Sequence, residues 1–308
     1  MIRAGPWGNA LLGLGALVLA SMPYWASPYH MQLASTALIA AMFALSLQVL
    51  TGAAGLVSLA HAAFFGLGAY TVHGLVGASI LVSVPAAMLV AGIAAAMIGK
   101  LALRTRGFYF LMTTLAFGQM LFFLFHDTPL GGGADGVFIT RPDMFWTVSK
   151  TARPAVFLLL NLTALSLMYG GLWWLMGTMF GHALSGIRVN EDRMRAMGHD
   201  VQRLKRAAFT LAGALAGLAG HMAALTDAFV SPETLGWHRS AEALLMILLG
   251  GLGALHGPIL GAFALTLIRD LGQSITERQR LVEGVVILAA VLLLRRGLAG
   301  WGKSGWGK

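Results

Sequence analysis

A succession of apolar runs constrains this chain more than any other feature. They fall near 9–26, 31–50, 62–82, 84–99, 107–126, 155–178, 206–227, 241–268 and 282–294. The hydrocarbon core of a bilayer takes about 20 apolar residues per crossing helix, and most of these runs approach that length. Charged residues make up 11% of the chain, against about 25% in soluble domains. That is too few to cover a water-facing surface. The expectation is an all-α polytopic membrane protein forming a single transmembrane domain over 1–308.

The net charge of +9 would point towards nucleic acid in a soluble protein. Here the basic residues sit in short loops between apolar runs, where retention on the cytoplasmic side accounts for them. Cysteine is absent, which excludes disulfides, thiolate catalysis and Cys-ligated metals. The 40 glycines suit close helix packing and broken helices in lipid. The first run follows Arg3 and ends near the small residues Ala20 and Ser21, so a cleaved signal peptide is one reading. The many runs behind it favour a retained first span.

Sidedness follows from the basic loops. Lys100, Arg104 and Arg106 share one loop without an acid. The island at 185–206 has a basic excess, and the tail 295–308 carries Arg295, Arg296, Lys303 and Lys308. All three are expected in the cytoplasm. The loop 127–154 balances Asp127, Asp135 and Asp143 against Arg141, Lys150 and Arg153, which fits the outside. A single helix over 241–268 would put the basic tail outside as well. That run holds Gly250, Gly251, Gly253, Gly257 and Pro258, and both residue types weaken a helix interior. It is expected to split into two short membrane segments, 241–253 and 258–271, turning on the cytoplasmic side. The charge bias is then satisfied by about ten crossings with both termini inside. A second glycine-rich break, with Gly52 and Gly55, lies in Thr51–Tyr70. Interrupted segments in both halves of a membrane protein point to an inverted repeat around a central pathway.

The island Ser185–Arg206 reads as a short capped helix. Asn190 suits an N-cap. Glu191 and Asp192 then place negative charge at the positive end of the helix dipole, and Arg193 and Arg195 follow towards its other end. Ala196 and Met197 close the turn, and Gly198 is placed for a left-handed stop. Met194 and Met197 are expected to share an apolar face with Ile187 and Val201, and Asp200 to cap the next helix. Two readings stand at this point: a helix that docks a partner protein, for which methionine is suited, and an ordinary positive-inside loop.

The same segment, GHALSGIRVNEDRMRAMGHDVQRLKRAAFTLAGALAGLAG, resembles the cytoplasmic coupling loop of branched-chain amino-acid ABC-transporter permeases of the LivM type. The matching positions are Gly181, Arg188, Glu191, Ala196, Gly198, Lys205, Phe209, Ala216 and Gly217. Four further blocks resemble the family in order: Gly55–Thr71, Leu103–Met120, Gly131–Gly136 and Ser240–Ala262. His61, His238, His256 and Leu130 depart from its pattern. The resemblance implies a type II-like ABC importer in the cell (inner) membrane. Arg188, Asn190, Glu191, Arg193, Met194, Ala196, Met197 and Gly198 would then form the ATPase-coupling helix. It also implies a second, LivH-like permease, two cytoplasmic ATPase subunits and an external substrate-binding protein. The cargo would be branched-chain amino acids or a related small amide, urea-like or carboxylate solute. No G-x-x-x-x-G-K-[ST] loop is present, so the chain is not itself an enzyme. It carries no cofactor of its own, and ATP and Mg belong to the partner subunits.

Other chemistry is sparse. The nine histidines form no H-E-x-x-H or related spacing, and no metal site is expected. His61 lies beside Ser58 in the first glycine-rich break. An imidazole at membrane depth either lines a cavity or finds a hydrogen-bond partner. With Thr113, Thr114 and Gln119, these two residues are the candidate translocation path. Ser240 and Glu242 read as a helix start or as an outer gate. An ion-coupled secondary transporter or a membrane enzyme would need clustered ionisable groups at membrane depth, and the sequence offers His61 and little else.

Overall fold

A computed structural model describes residues 6–140 and 152–275, with Gly284 and Leu298 besides. Apart from Gly284 and Leu298, the expected span 282–294 and the tail 295–308 lie outside the described residues, as do Arg141, Asp143 and Lys150 of the 127–154 loop. The described residues are helical almost throughout. In order come α1 (Pro6–Ser21), α2 (Pro28–Gln48), α3 (His61–Gly74), α4 (Ile80–Ala102) and α5 (Phe108–His126). Then follow α6 (Arg153–Met176), α7 (Met179–Val189), α8 (Glu191–Ala196), α9 (Val201–Asp227), α10 (Trp237–Gly250) and α11 (Gly257–Ile275). Two short strands, β1 (Val137–Phe138) and β2 (Phe229–Val230), pair antiparallel beyond the end of α9.

Among the described residues, five helical stretches are long and apolar enough to cross a membrane: Pro28–Ala54, Ile80–Ala102, Phe108–His126, Arg153–Met176 and Val201–Asp227. The other expected crossings fall on α1, on the shorter helices α3 and α10, on α11, and on 282–294. One expected boundary moves. The runs 62–82 and 84–99 divide at Leu75–Ser79 rather than at residue 83, because Gly77 turns the chain with φ +81°.

Helices α2, α3 and α9 are the most buried. α2 is buried along most of its length, while α5 is largely exposed. The tightest packing is of α9 against α3 and α4, and small residues make it so. Ala87, Ala91 and Ala95 recur every fourth residue of α4 and are fully buried. They face Gly213 and Gly217, where an added Cβ would lie 2.3 Å from the Ala95 Cβ and 2.4 Å from the Ala91 Cβ. On the other side, a Cβ on Gly68 would lie 2.0 Å from the Gly217 carbonyl oxygen. In lipid, helix association rests on such close van der Waals contact, since lipid tails are as apolar as leucine. His221 adds a polar fastening to the same junction. Its Nε2 pairs with Ser83 Oγ at 3.1 Å, and its Nδ1 lies 3.5 Å from Thr71 Oγ1.

Exposed Leu81, Leu89, Ile93 and Met97 on α4, with Phe108, Tyr109, Met120 and Phe123 on α5, make an apolar outer surface. Such area is unusual on a soluble monomer and ordinary on a helix facing acyl chains.

Candidate functional site

The island folds as α7, α8 and the first turn of α9. Asn190, with φ −157°, leaves helical geometry, and its side chain accepts from the Arg193 amide at 2.9 Å. Gly198 takes φ +86° and stops the turn. Asp200 accepts from the Arg203 amide at 3.0 Å and starts α9. Each cap satisfies an amide that the first helical turn leaves without a partner.

Glu191 is turned into the protein rather than presented to a partner. Its carboxylate takes Lys205 Nζ at 2.6 Å and Arg195 at 2.6 Å, with Arg106 at 3.8 Å. It thereby ties α8 to α9 and to the turn between α4 and α5. Burial pushes the Glu191 carboxyl upward, but the Lys205 hydrogen bond and the charges of Lys205, Arg106 and Arg195 outweigh it. The carboxyl is held below its ordinary range. The Lys205 side chain is only 9% exposed, so this pair is largely withdrawn from water.

The expected shared methionine face is corrected. Met194 packs inward, its sulfur 2.7 Å from where a Cβ on Gly186 would lie, and Ile187 and Val201 are buried with it. Met197 is 67% exposed and stands apart. The reason is the close approach of α7, which only a glycine at 186 permits. The free surface is therefore Asp192, Arg193, Ala196 and Met197, with Arg195 partly exposed.

From this loop a hydrogen-bonded line runs inward. The Arg188 guanidinium donates to the Gly52 carbonyl at 2.5 Å. Gly52 sits in Val49–Ala54, where α2 ends in a π-helical turn, a form found mostly at functional sites. Gly55 follows with φ +70°. Residues 55–60 are non-helical, and His61 opens α3, so the helix resumes well before the expected end of the break at Tyr70. Just before the π turn, Gln48 Nε2 donates to the Leu252 carbonyl at 2.9 Å and to that of Ala254 at 3.4 Å. Those carbonyls belong to the segment between α10 and α11. There Gly250 ends a helix, Gly251 takes φ +110°, Gly253 lies in the turn, and Gly257 and Pro258 begin the next helix. Gly250 and Gly257 touch through their backbones: a Cβ on Gly250 would lie 1.9 Å from the Gly257 oxygen.

The candidate path residues divide. Ser58 and His61 are fully buried. His61 Nε2 pairs with Ser46 Oγ at 2.8 Å and its ring stacks on Phe43, whereas among the described residues no partner meets His61 Nδ1 or Ser58 Oγ. Thr114 Oγ1 accepts from the Leu59 amide at 3.2 Å and so holds the same irregular segment. Gln119 has a buried oxygen without a partner. Thr113 is not gathered with them, because its hydroxyl returns to the Tyr109 carbonyl of its own helix. Ser240 does not cap α10, whose N-cap is Gly236. It instead clamps the break, accepting from the Ala62 amide at 2.8 Å and donating to the Leu59 carbonyl at 2.9 Å. Glu242 pairs with Arg269 at 3.0 Å.

Over 309 residues the chain is 31% identical to the high-affinity branched-chain amino acid transport system permease protein LivM of Escherichia coli (strain K12), covering 92% of this chain and 73% of that protein. A partial likeness, 36% identity over 146 residues, joins it to the autoinducer 2 import system permease protein LsrC of Klebsiella pneumoniae, covering 44% of this chain and 42% of that one. The xylose transport system permease protein XylH of Escherichia coli (strain K12) is 30% identical over 148 residues, 45% of this chain and 36% of that protein. No solved structure matches the chain. Residues 29–294, from the start of α2 through both irregular segments and the capped loop, match the family described as branched-chain amino acid transport system, permease component; the chain belongs to that family.

Proposed function

We propose that this chain is the membrane-spanning permease subunit of an ATP-binding-cassette importer that carries branched-chain amino acids by alternating access. Membership of the family over 29–294 carries the reading. In the assembly a second, LivH-like permease pairs with it in the inner membrane. Two ATPase subunits holding ATP and Mg dock from the cytoplasm on the coupling helices of the two permeases, of which α8 is this chain's, and an external binding protein delivers the amino acid. In this reading α8 and both termini lie in the cytoplasm and the chain makes about ten crossings, which the basic loops of the sequence support.

The exposed face of α8 is the docking surface and Arg188 the first link behind it. A push on α8 reaches the π turn through the Arg188–Gly52 bond, and the turn between α10 and α11 through Gln48. The path itself is apolar and weakly binding around Ser58, His61 and Thr114. An ion-coupled secondary transporter is not favoured, because coupling needs membrane-embedded ionisable groups with partners, and His61 pairs with a serine hydroxyl.

Two variants of the complete transporter test this. Arg193→Glu with Met197→Glu should cut the ATPase recovered with the permeases about tenfold or more, the scale of losing an interface hot spot. Undiminished recovery would show that α8 is not the docking site. Arg188→Met should leave recovery intact while uptake falls about tenfold, since it strands the Gly52 carbonyl and removes a charge-assisted bond. Normal uptake in that variant would remove Arg188 from the force path.

A further inference from the structure

At the end of the molecule opposite the capped loop lies a cavity of about 340 Å³, within the ~300–1,000 Å³ of small-molecule sites. α9 starts at the loop and ends at this cavity, and 27 residues of α-helix span ~40 Å. The cavity therefore lies on the far side of the apolar slab. Its floor is an aromatic pair, Phe43 and Phe65, with ring centroids 4.9 Å apart. Behind Phe43 its ring stacks on His61, 5.6 Å away, so the cavity sits at the outer end of the candidate path.

The wall made by α11 is held unequally at its two ends. Thr266, Arg269 and Asp270 line the cavity, and their spacing puts them on one face of the helix. Two neighbours on that face tie it to opposite sides. Arg269 pairs with Glu242 of α10 at 3.0 Å, and Asp270 accepts from the Tyr29 hydroxyl at the start of α2. These ties are made by side-chain tips within reach of water. The Glu242 and Arg269 side chains are 32% and 34% exposed, and pairs so placed hold weakly and reversibly.

The other end of α11 meets α10 backbone to backbone. A Cβ on Gly250 would lie 1.9 Å from the Gly257 oxygen, and one on Gly261 would lie 1.9 Å from the Met246 oxygen. No side chain stands between the helices there to yield, so their spacing at this end is fixed. Gln48 fastens the turn between them through the Leu252 and Ala254 carbonyls. About 12 Å of α10 separates Glu242 from Gly250, and about 18 Å of α11 separates Gly257 from Arg269. A tilt of about 15° at the glycine contact would carry Arg269 by ~5 Å, enough to part an ion pair, whose reach is about 4 Å. The α10–α11 hairpin thus has a fixed root and a releasable tip, as hinge closure requires.

We infer that the outer half of α11 is a gate over this cavity, latched by Glu242–Arg269 and Tyr29–Asp270 and turning on the contact of Gly250, Gly257 and Gly261. The inference rests on the importer reading and names the element of this subunit that moves when the path opens outward. A push on α8 that reaches the α10–α11 turn through Gln48 arrives at the root of the hairpin, and the length of α11 enlarges it at the tip.

Because the chain has no cysteine, introduced cysteines can be read on this subunit without background. Thr36 lines the cavity. Thr36→Cys is placed in the assembled transporter in liposomes and modified by a membrane-impermeant thiol reagent from the binding-protein side. Glu242→Gln or Arg269→Gln in that background should speed modification about threefold, the scale of losing one exposed ion pair. Exchanging the charges, Glu242→Arg with Arg269→Glu, should return the slower rate. In a second variant, Glu242→Cys with Arg269→Cys, a reversible bis-thiosulfonate cross-linker should cut leucine uptake about tenfold or more, since a gate that cannot open admits no cargo. Reductant should restore it. Unchanged modification rates in the single variants, a fast rate that survives the charge exchange, or undiminished uptake across the cross-link would each overturn the gate. Modification rates need no cargo, so they decide the latch by themselves. Absence of leucine uptake by the unmodified transporter would instead strike the importer reading.

Discussion

Glu191→Ala should destabilise the capped-loop end of the protein by about 3 kcal/mol, the low end of what is measured when one partner of a buried ion pair is removed. The loss has two parts. Arg195 and Arg106 are exposed and give up little, since surface ion pairs are worth about 0–1 kcal/mol. Lys205 is withdrawn from water and keeps its charge with nothing to meet it. The expected result is a lowered unfolding midpoint of the purified subunit and new tryptic cleavage at Arg193 and Arg195, whose helix is no longer tied to α9. Lys205→Met in the same chain should recover most of the midpoint, because an apolar side chain of similar reach does not strand a charge. Equal loss in the single and double variants would place the strain elsewhere.

The pH dependence has a definite sign. Because the folded-state carboxyl is held below the ordinary glutamate value of 4.5, its contribution is fully present above that value. It disappears as the pH falls through the lower folded value. The loop should thus stay protected from neutral pH down to about 5 and open below 4.5, and Glu191→Ala should lack that acid transition. An unchanged transition in the variant would assign it to another group.

The second large effect belongs to the middle of the bundle. Gly220→Val should abolish the packing of α3 on α9. A Cβ at that position would lie 1.8 Å from the Phe65 carbonyl oxygen and 3.1 Å from the Ala69 amide nitrogen. Backbone cannot yield as a side-chain tip can, so the helices must move apart. Overpacking a tight core costs about 1–3 kcal/mol, and more where nothing can give. Even Gly220→Ala should sharply lower the yield of folded, detergent-stable protein. Gly170→Ala on α6 is the control: nothing lies within 4 Å of the added carbon. There the change should be neutral or stabilise by up to about 1 kcal/mol, because alanine favours helix. If both substitutions behaved alike, the close crossing of α3 and α9 would be wrong.

What the sequence makes legible is local. Asn190, Gly198 and Asp200 announce the caps of α8 and α9 because a cap is made by the residue at the helix end and the amides just after it. Gly250, Gly257 and Pro258 announce an interruption for the same reason. Contacts between distant segments leave no such mark. Ser240 reads as a helix start, yet its hydroxyl is spent on Leu59 and Ala62, 181 and 178 residues away. Met194 and Met197 look equivalent at three-residue spacing, and only the approach of Gly186 separates them. The boundary near Gly77 is blurred because α3 and α4 are apolar on every side, so no period marks where one ends. A cavity of about 340 Å³ at the ends of α2, α9, α10 and α11 is hidden for a related reason: its lining runs from Tyr29 to Asp270, and no single stretch of sequence holds it.

Gln48 has a consequence for inheritance. Its amide closes the carbonyls of a turn 204 residues further along the chain, while a Cβ on Gly52 would collide with its side chain at 2.7 Å. Neither position can drift alone: a shorter residue at 48 strands two carbonyls, and a larger one at 52 displaces the amide that serves them. The N-terminal and C-terminal halves of this permease therefore meet through a fitted contact. A chimera that joins its first half to the second half of a relative needs residues 48, 52 and 251–256 from a single parent.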